Sequence, residues 1–199
     1  MFNFRSIDDL LPIFGTVGED GWEAKTGCIL EAQAEEWGAD LTSPVSEERL
    51  HAAEKRLGVV IPHGLRLFLR TFGVADIGEE LQAPENMIYL DEWTQNLGVE
   101  EFLEPEEMAL LPELVTFSEH LGIGNAFCFH RSDGSVYFFD HDTGPHLAPL
   151  FASVDDYLRA CLINVQDIFF APTVEDAESL IEERLVQLFG EKTVVKWLY

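Results

Sequence analysis

Apolar positions along this chain follow two different periods, and the change from one to the other marks its architecture. Leu50, Ala53 and Leu57 recur at helical spacing, and Leu65, Phe68, Leu69 and Phe72 repeat it as i, i+3, i+4, i+7. Ser46 stands where an N-cap belongs, Val45 can staple onto Leu50, and Gly58 occupies a C-cap position. A short extended piece, residues 59–61, leads to Pro62 in the first turn of the second helix, and Gly73 closes it. The pair forms a helix–turn–helix hairpin.

Beyond residue 112 the pattern becomes strand-like. Residues 114–117 predict a strand. Residues 126–130 (AFCFH) and 135–140 (SVYFFD) flank Arg131-Ser132-Asp133-Gly134. Asp-Gly between two β-prone runs signals a hairpin, because Gly takes the positive φ that the turn demands. Residues 147–151 predict a further strand after the Gly144-Pro145 turn. Ser153 then caps a helix whose apolar face is Tyr157, Leu158, Cys161 and Leu162, with Asp156 in the capping-box place. Pro172 breaks the chain, and Thr173 opens a last helix with a stripe of Ala177, Leu180, Ile181, Leu185 and Leu188 up to Gly190. Strands grouped between helices, without βαβ alternation, predict an α+β fold: an antiparallel meander sheet flanked by helices.

The remaining stretches carry weaker patterns. Within residues 1–44, Ser6 opens a short helix to Leu11, residues 15–27 are loop-like and residues 29–37 helical, an extension packed on the main domain. Residues 45–165 form that domain, and residues 166–199 a C-terminal helix and tail. Residues 74–112 are irregular and acidic, with a strand expected at 86–90 and a short helix or loop at 91–102.

Composition narrows the function. The 199 residues suit one domain, and 47% apolar content with 15 Phe supplies an aromatic core. A net charge of −25, from 37 acidic and 12 basic residues, excludes binding to nucleic acid or an anionic membrane by charge neutralisation. It favours a basic partner, whose encounter would be electrostatically steered. The helix hairpin is therefore not a DNA reader, its second helix offering only Arg66 and Arg70. Three dispersed cysteines, no signal-peptide pattern at the N-terminus and no membrane-length apolar run point to a soluble cytoplasmic protein.

The helix end Leu57-Gly58-Val59-Val60-Ile61-Pro62, followed by Leu67-Phe68-Leu69 and Phe72-Gly73, resembles the opening signature of the SUKH superfamily. Gly124, Phe127 to Phe129, Gly134, Val136 to Phe139 with Asp140-His141, and Ser153 with the helix to Leu158 are similar to its second half. The resemblance spans residues 45–162. Ile61 stands for the usual Leu, and Phe72 for the frequent Asn before Gly73. That superfamily includes bacterial immunity proteins and fungal cell-wall-assembly regulators. The resemblance implies a SUKH-like, non-enzymatic binding protein: an immunity protein that neutralises a basic toxin of nuclease or deaminase type, or alternatively a regulator or scaffold.

The charge pattern agrees. Between Arg70 and Arg131 there is no Lys or Arg, while the interval carries 13 acidic residues. Its candidate partner-binding positions are Asp76, Glu79, Glu80, Asp91, Glu92, Trp93, Glu100, Glu101, Glu104, Glu106 and Glu107, with Trp93 or Phe102 as the desolvated centre. The bland counterpart is a solvated acidic loop that aids solubility. The chemical alternative is His130, Asp140, His141, Asp142 and His146 as a metal or catalytic cluster. The strand-end pattern and Asx-type turn bonding account for those residues, so neither a metal nor a cofactor is expected. Cys128 and Cys161 lie on apolar faces and suit packing. No nucleophile elbow, zinc-protease motif, P-loop or dinucleotide fingerprint occurs.

Overall fold

The computed structural model describes residues 10, 16–37, 43–120, 122–170, 174 and 176–199. The helix hairpin forms as its caps dictate. Helix α2, Glu47–Leu57, starts where the Ser46 hydroxyl accepts the Arg49 N–H at 3.4 Å, and ends at Gly58 in the left-handed conformation. Helix α3, His63–Phe72, follows with Pro62 just before its first turn, burying Leu65, Phe68 and Leu69.

A five-stranded antiparallel meander follows in chain order: β1 Glu80–Leu81, β2 Leu114–His120, β3 Asn125–His130, β4 Val136–Phe139 and β5 Leu147–Phe151. The central hairpin turns on Asp133, whose carboxylate accepts the Ser135 N–H at 2.9 Å, and on Gly134 at φ +74°. Phe127 pairs with Phe138 and Cys128 with Tyr137, so alternate positions face opposite sides.

Each side of the sheet has its own core. The larger holds Phe117, Phe127, Phe129, Val136 and Phe138 against α2, α3 and helix α6, Val154–Asn164. Its centre is fully buried Tyr157 on α6, with ring centroids of Phe117 and Phe127 at 5.0 and 4.8 Å and its hydroxyl donating to Ser118 Oγ at 2.8 Å. The smaller holds Leu114, Ala126, Cys128, Phe139 and Leu147 under Leu90 and Leu111. What covers that side is the acidic interval: helix α4, Leu90–Leu97, a 3-10 turn, Glu100–Phe102, and helix α5, Pro105–Leu110.

The structure corrects several expectations. Residues 86–90 are not a strand; Tyr89 makes a single bridge to Val115, and the edge strand is Glu80–Leu81. Helix α1, Trp22–Trp37, begins within the segment expected as loop and runs through Gly27, with Trp22, Ile29 and Leu30 in the larger core. The tail is helical: after α7, Asp167–Phe170, and α8, Ala177–Phe189, the chain turns at Gly190 into α9, Glu191–Leu198. Of the expected α8 stripe, Ala177, Ile181 and Leu185 are buried, while Leu188 is 39% exposed. Helix α9 fastens to β5, Thr193 Oγ1 donating to the Leu150 carbonyl at 3.2 Å and Trp197 packing on Phe151. That contact covers a sheet edge otherwise open to pairing. Ser6, the 6–11 helix, Pro172 and the Thr173 cap lie outside the described residues.

Candidate functional site

The acidic interval is anchored to the sheet rather than looped away from it. In α4, Leu90 is buried and Trp93 donates from Nε1 to the Gly124 carbonyl at 3.0 Å. Gly98, at φ +70°, ends the helix, and Val99, Leu103 and Leu110 pack against the smaller core. Pro105 opens α5, where a missing N–H costs nothing. Glu107 then fixes the segment in two directions: one oxygen accepts the Glu104 N–H and the other the Leu147 N–H of β5, each at 3.0 Å. The lobe from Leu90 to Leu110 is thereby preformed.

The expected partner-binding residues divide. Glu92, Glu100, Glu101, Glu104 and Glu106 are exposed on this lobe, with Asp91 half-exposed beside them. Asp76 and Glu80 are exposed nearer the sheet edge; the Asp76 carboxylate accepts the Gly78 N–H at 2.8 Å and Gln33 Nε2 at 3.3 Å. Glu79 and Glu107 are only 5% and 9% exposed, which removes both from a contact surface. Trp93 is half-buried with its indole N–H already spent, so it serves the interior.

Glu79 belongs to a buried network that sequence reasoning missed. Its carboxylate accepts Trp197 Nε1 at 2.7 Å and meets His120 Nδ1 at 3.0 and 3.1 Å. The bond to Glu79 raises the His120 pKa, with burial opposing it and the nearby charges of Glu79 and Asp140 adding to it. Nothing local signals this arrangement, since Glu79 and Trp197 stand 118 residues apart.

Ion pairing separates the acids further. Glu85 meets Arg49 at 2.6 Å, Glu113 meets Arg131 at 2.8 Å, and Glu47 and Glu54 both meet Arg66. Among the described residues no ion pair involves Asp91, Glu92, Glu100, Glu101, Glu104 or Glu106. This face therefore presents uncompensated negative charge on a fixed frame.

The His–Asp cluster divides: His130 stands apart, while Asp140, His141, Asp142 and His146 stay together beyond the end of β4, His141 Nε2 lying 3.2 Å from Asp142 Oδ1. His130 sits at the hairpin end of the sheet, bonded to Ser132 Oγ at 2.9 Å, whereas Asp140 lies at the opposite end of β4 and pairs with Lys196 at 3.0 Å. Burial works against the Asp140 charge, but Lys196 and the N–H groups of Asp142 and Thr143 hold its pKa below the usual range. His141 bonds Asn125 at 2.8 Å, and His146 the Asp140 carbonyl at 2.8 Å. Among the described residues no group of three His, Cys, Asp or Glu is placed to hold a metal ion. Burial pushes the Cys128 and Cys161 thiols far up, away from nucleophilic use. No helix among the described residues is long and apolar enough to cross a membrane.

A helix hairpin feeding an antiparallel meander, with helices on both faces, defines an α+β domain of one architecture. Residues 44–160 match the SMI1 / KNR4 family (SUKH-1), and the chain belongs to that family. The match opens just before the Ser46 cap and closes within α6, leaving α1, α7, α8 and α9 outside it. No individually curated protein matches the chain. Membership is consistent with a non-enzymatic immunity or regulatory role.

Proposed function

We propose that this protein is a non-enzymatic immunity protein that neutralises a basic toxin of nuclease or deaminase type in the cytoplasm of the cell that makes both. The observation that carries this reading is the α4–α5 face, where six acids with no cationic partner among the described residues stand on a lobe pinned to the sheet. A cationic groove built for nucleic acid is complementary to such a face, and covering it stops turnover without chemistry by the inhibitor. Steering by a field of this sign raises association rates by about 10–10³.

The test uses the toxin encoded beside this gene. Co-expression should rescue growth, and the purified proteins should associate faster at low salt. Reversing Glu100, Glu101, Glu104 and Glu106 to Lys should slow association more than it speeds dissociation. Glu107 is left out because its carboxylate holds the lobe together. No rescue and no binding would overturn the reading; binding without rescue would assign the face to a regulatory partner instead.

A further inference from the structure

The lobe exposes more than charge. Phe102 is 60% exposed, and Leu97 and Met108 are each 40% exposed. Phe102 follows Glu100 and Glu101 directly and precedes Glu104 and Glu106. Its turn is closed by the Phe102 N–H on the Val99 carbonyl at 3.1 Å and the Leu103 N–H on the Glu100 carbonyl at 3.3 Å. Val99 and Leu103, on either side of the turn's apex, are drawn into the smaller core. The backbone that presents Phe102 is thus fixed from both ends while the ring points away from the core its neighbours enter. Of the two aromatics that the sequence offers as an anchor, Trp93 faces the sheet and Phe102 faces solvent. An exposed aromatic ringed by carboxylates on a preformed turn has the make-up of an interface centre: an apolar group that desolvates inside a polar rim.

Building on the proposed reading of this face, we infer that Phe102 anchors the complex and that the occupant is a folded basic protein with an apolar pocket rimmed by Lys or Arg. Charge alone would accept any polycation; the ring selects among cationic surfaces by demanding a cavity.

Two probes separate these contributions: poly-L-lysine, which offers charge without a pocket, and a displayed library of a small folded scaffold with one randomised face, panned against the full chain. The inference expects enriched faces that combine Lys or Arg with apolar residues. Their affinity should fall roughly tenfold or more in Phe102→Ser, the scale of losing an interface anchor. Val60→Ser, which alters the 78%-exposed Val60 between α2 and α3, should leave affinity unchanged. Poly-L-lysine should bind Phe102→Ser as it binds the parent, and should bind both more weakly when the four lobe glutamates become Lys in a chain that stays strongly acidic. A thermal melt of Phe102→Ser matching the parent shows that the fold is intact. Enriched basic faces that need the glutamates but ignore Phe102→Ser would overturn the anchor and leave the proposed function standing. Faces indifferent to the glutamates, or a library that yields no binder, would overturn both.

Discussion

Two helical layers cover this sheet, and they use the same side-chain chemistry to opposite ends. Residues 47–72, spanning α2 and α3, carry five Lys or Arg against three acids; residues 90–110, spanning α4 and α5, carry seven acids and no Lys or Arg. In the first layer charge is spent internally. Arg66 bridges Glu47 and Glu54, Arg70 reaches Glu47 at 3.1 Å, and Arg56 donates to the carbonyls of Pro84 and Met87 at 2.9 and 2.8 Å. In the second layer only Glu107 is drawn inward, and the other six acids face solvent with no cation paired to them among the described residues. A carboxylate's role is thus set by what faces it, not by its place in an acidic run.

The sharpest way to break this distinction is Glu79→Ala, which removes an acid of the run that the structure assigns to the interior. It deprives Trp197 and His120 of their acceptor and should cost about 3 kcal/mol, as removal of one partner of a buried pair does. For a chain of this size that lowers the melting temperature by roughly 6–12 °C. A melt unchanged from the parent would put Glu79 back among the surface acids.

Arg66→Met comes next. It strands Glu54, whose side chain is 16% exposed, and should cost about 2 kcal/mol in urea unfolding. The matching experiment on the other layer, Glu100, Glu101, Glu104 and Glu106 to Lys together, should cost no more than about 1 kcal/mol, the loss of the Glu104 cap on α5, offset by relief of self-repulsion in a chain of charge −25. A cooperative loss of stability beyond that in this variant would mean the lobe's charge is structural after all.

Which parts of this were legible beforehand follows from the range of the signals. Ser46, Gly58, Asp133-Gly134 and Ser153 act on backbone within a few residues, so the elements they cap or turn were readable from the chain alone. Helix α1 was half missed because Gly27 interrupts it and its apolar residues follow no sharp stripe. Helix α9 was missed because its β-branched Thr193-Val194-Val195 run does not favour a helix; docking of Trp197 overrides the propensity. The acidic lobe was legible as charge, but not as a set of partners. Whether Glu79, Glu107 and Trp93 point in or out depends on Trp197, Leu147 and Gly124, all remote in sequence.

The smallest expected effect sharpens the comparison by titration. His120 is the titratable partner of an interior acid, and its pKa is raised by Glu79, so its contribution to stability is complete below the unfolded value of about 6.5 and is lost as pH rises through the folded value. Around it stand Glu79 and Asp140 as negative groups, the Phe127 and Phe138 rings edge-on, and Lys196 on α9 over Phe138. Acidification also relieves repulsion across the whole chain, so the informative quantity is a difference. His120→Gln keeps a donor for Glu79 but does not titrate. The gap in melting temperature between parent and variant should be greatest, in the parent's favour, below pH 6.5 and narrow steadily above it. The four-Lys lobe variant retains His120 and should show the parent's His120-dependent slope when compared with its own His120→Gln derivative. Parallel profiles for parent and His120→Gln would show that the Glu79 pair does not titrate with folding. The interior acid would then be held by Trp197 alone, and its distinction from the lobe would rest on burial rather than on pairing.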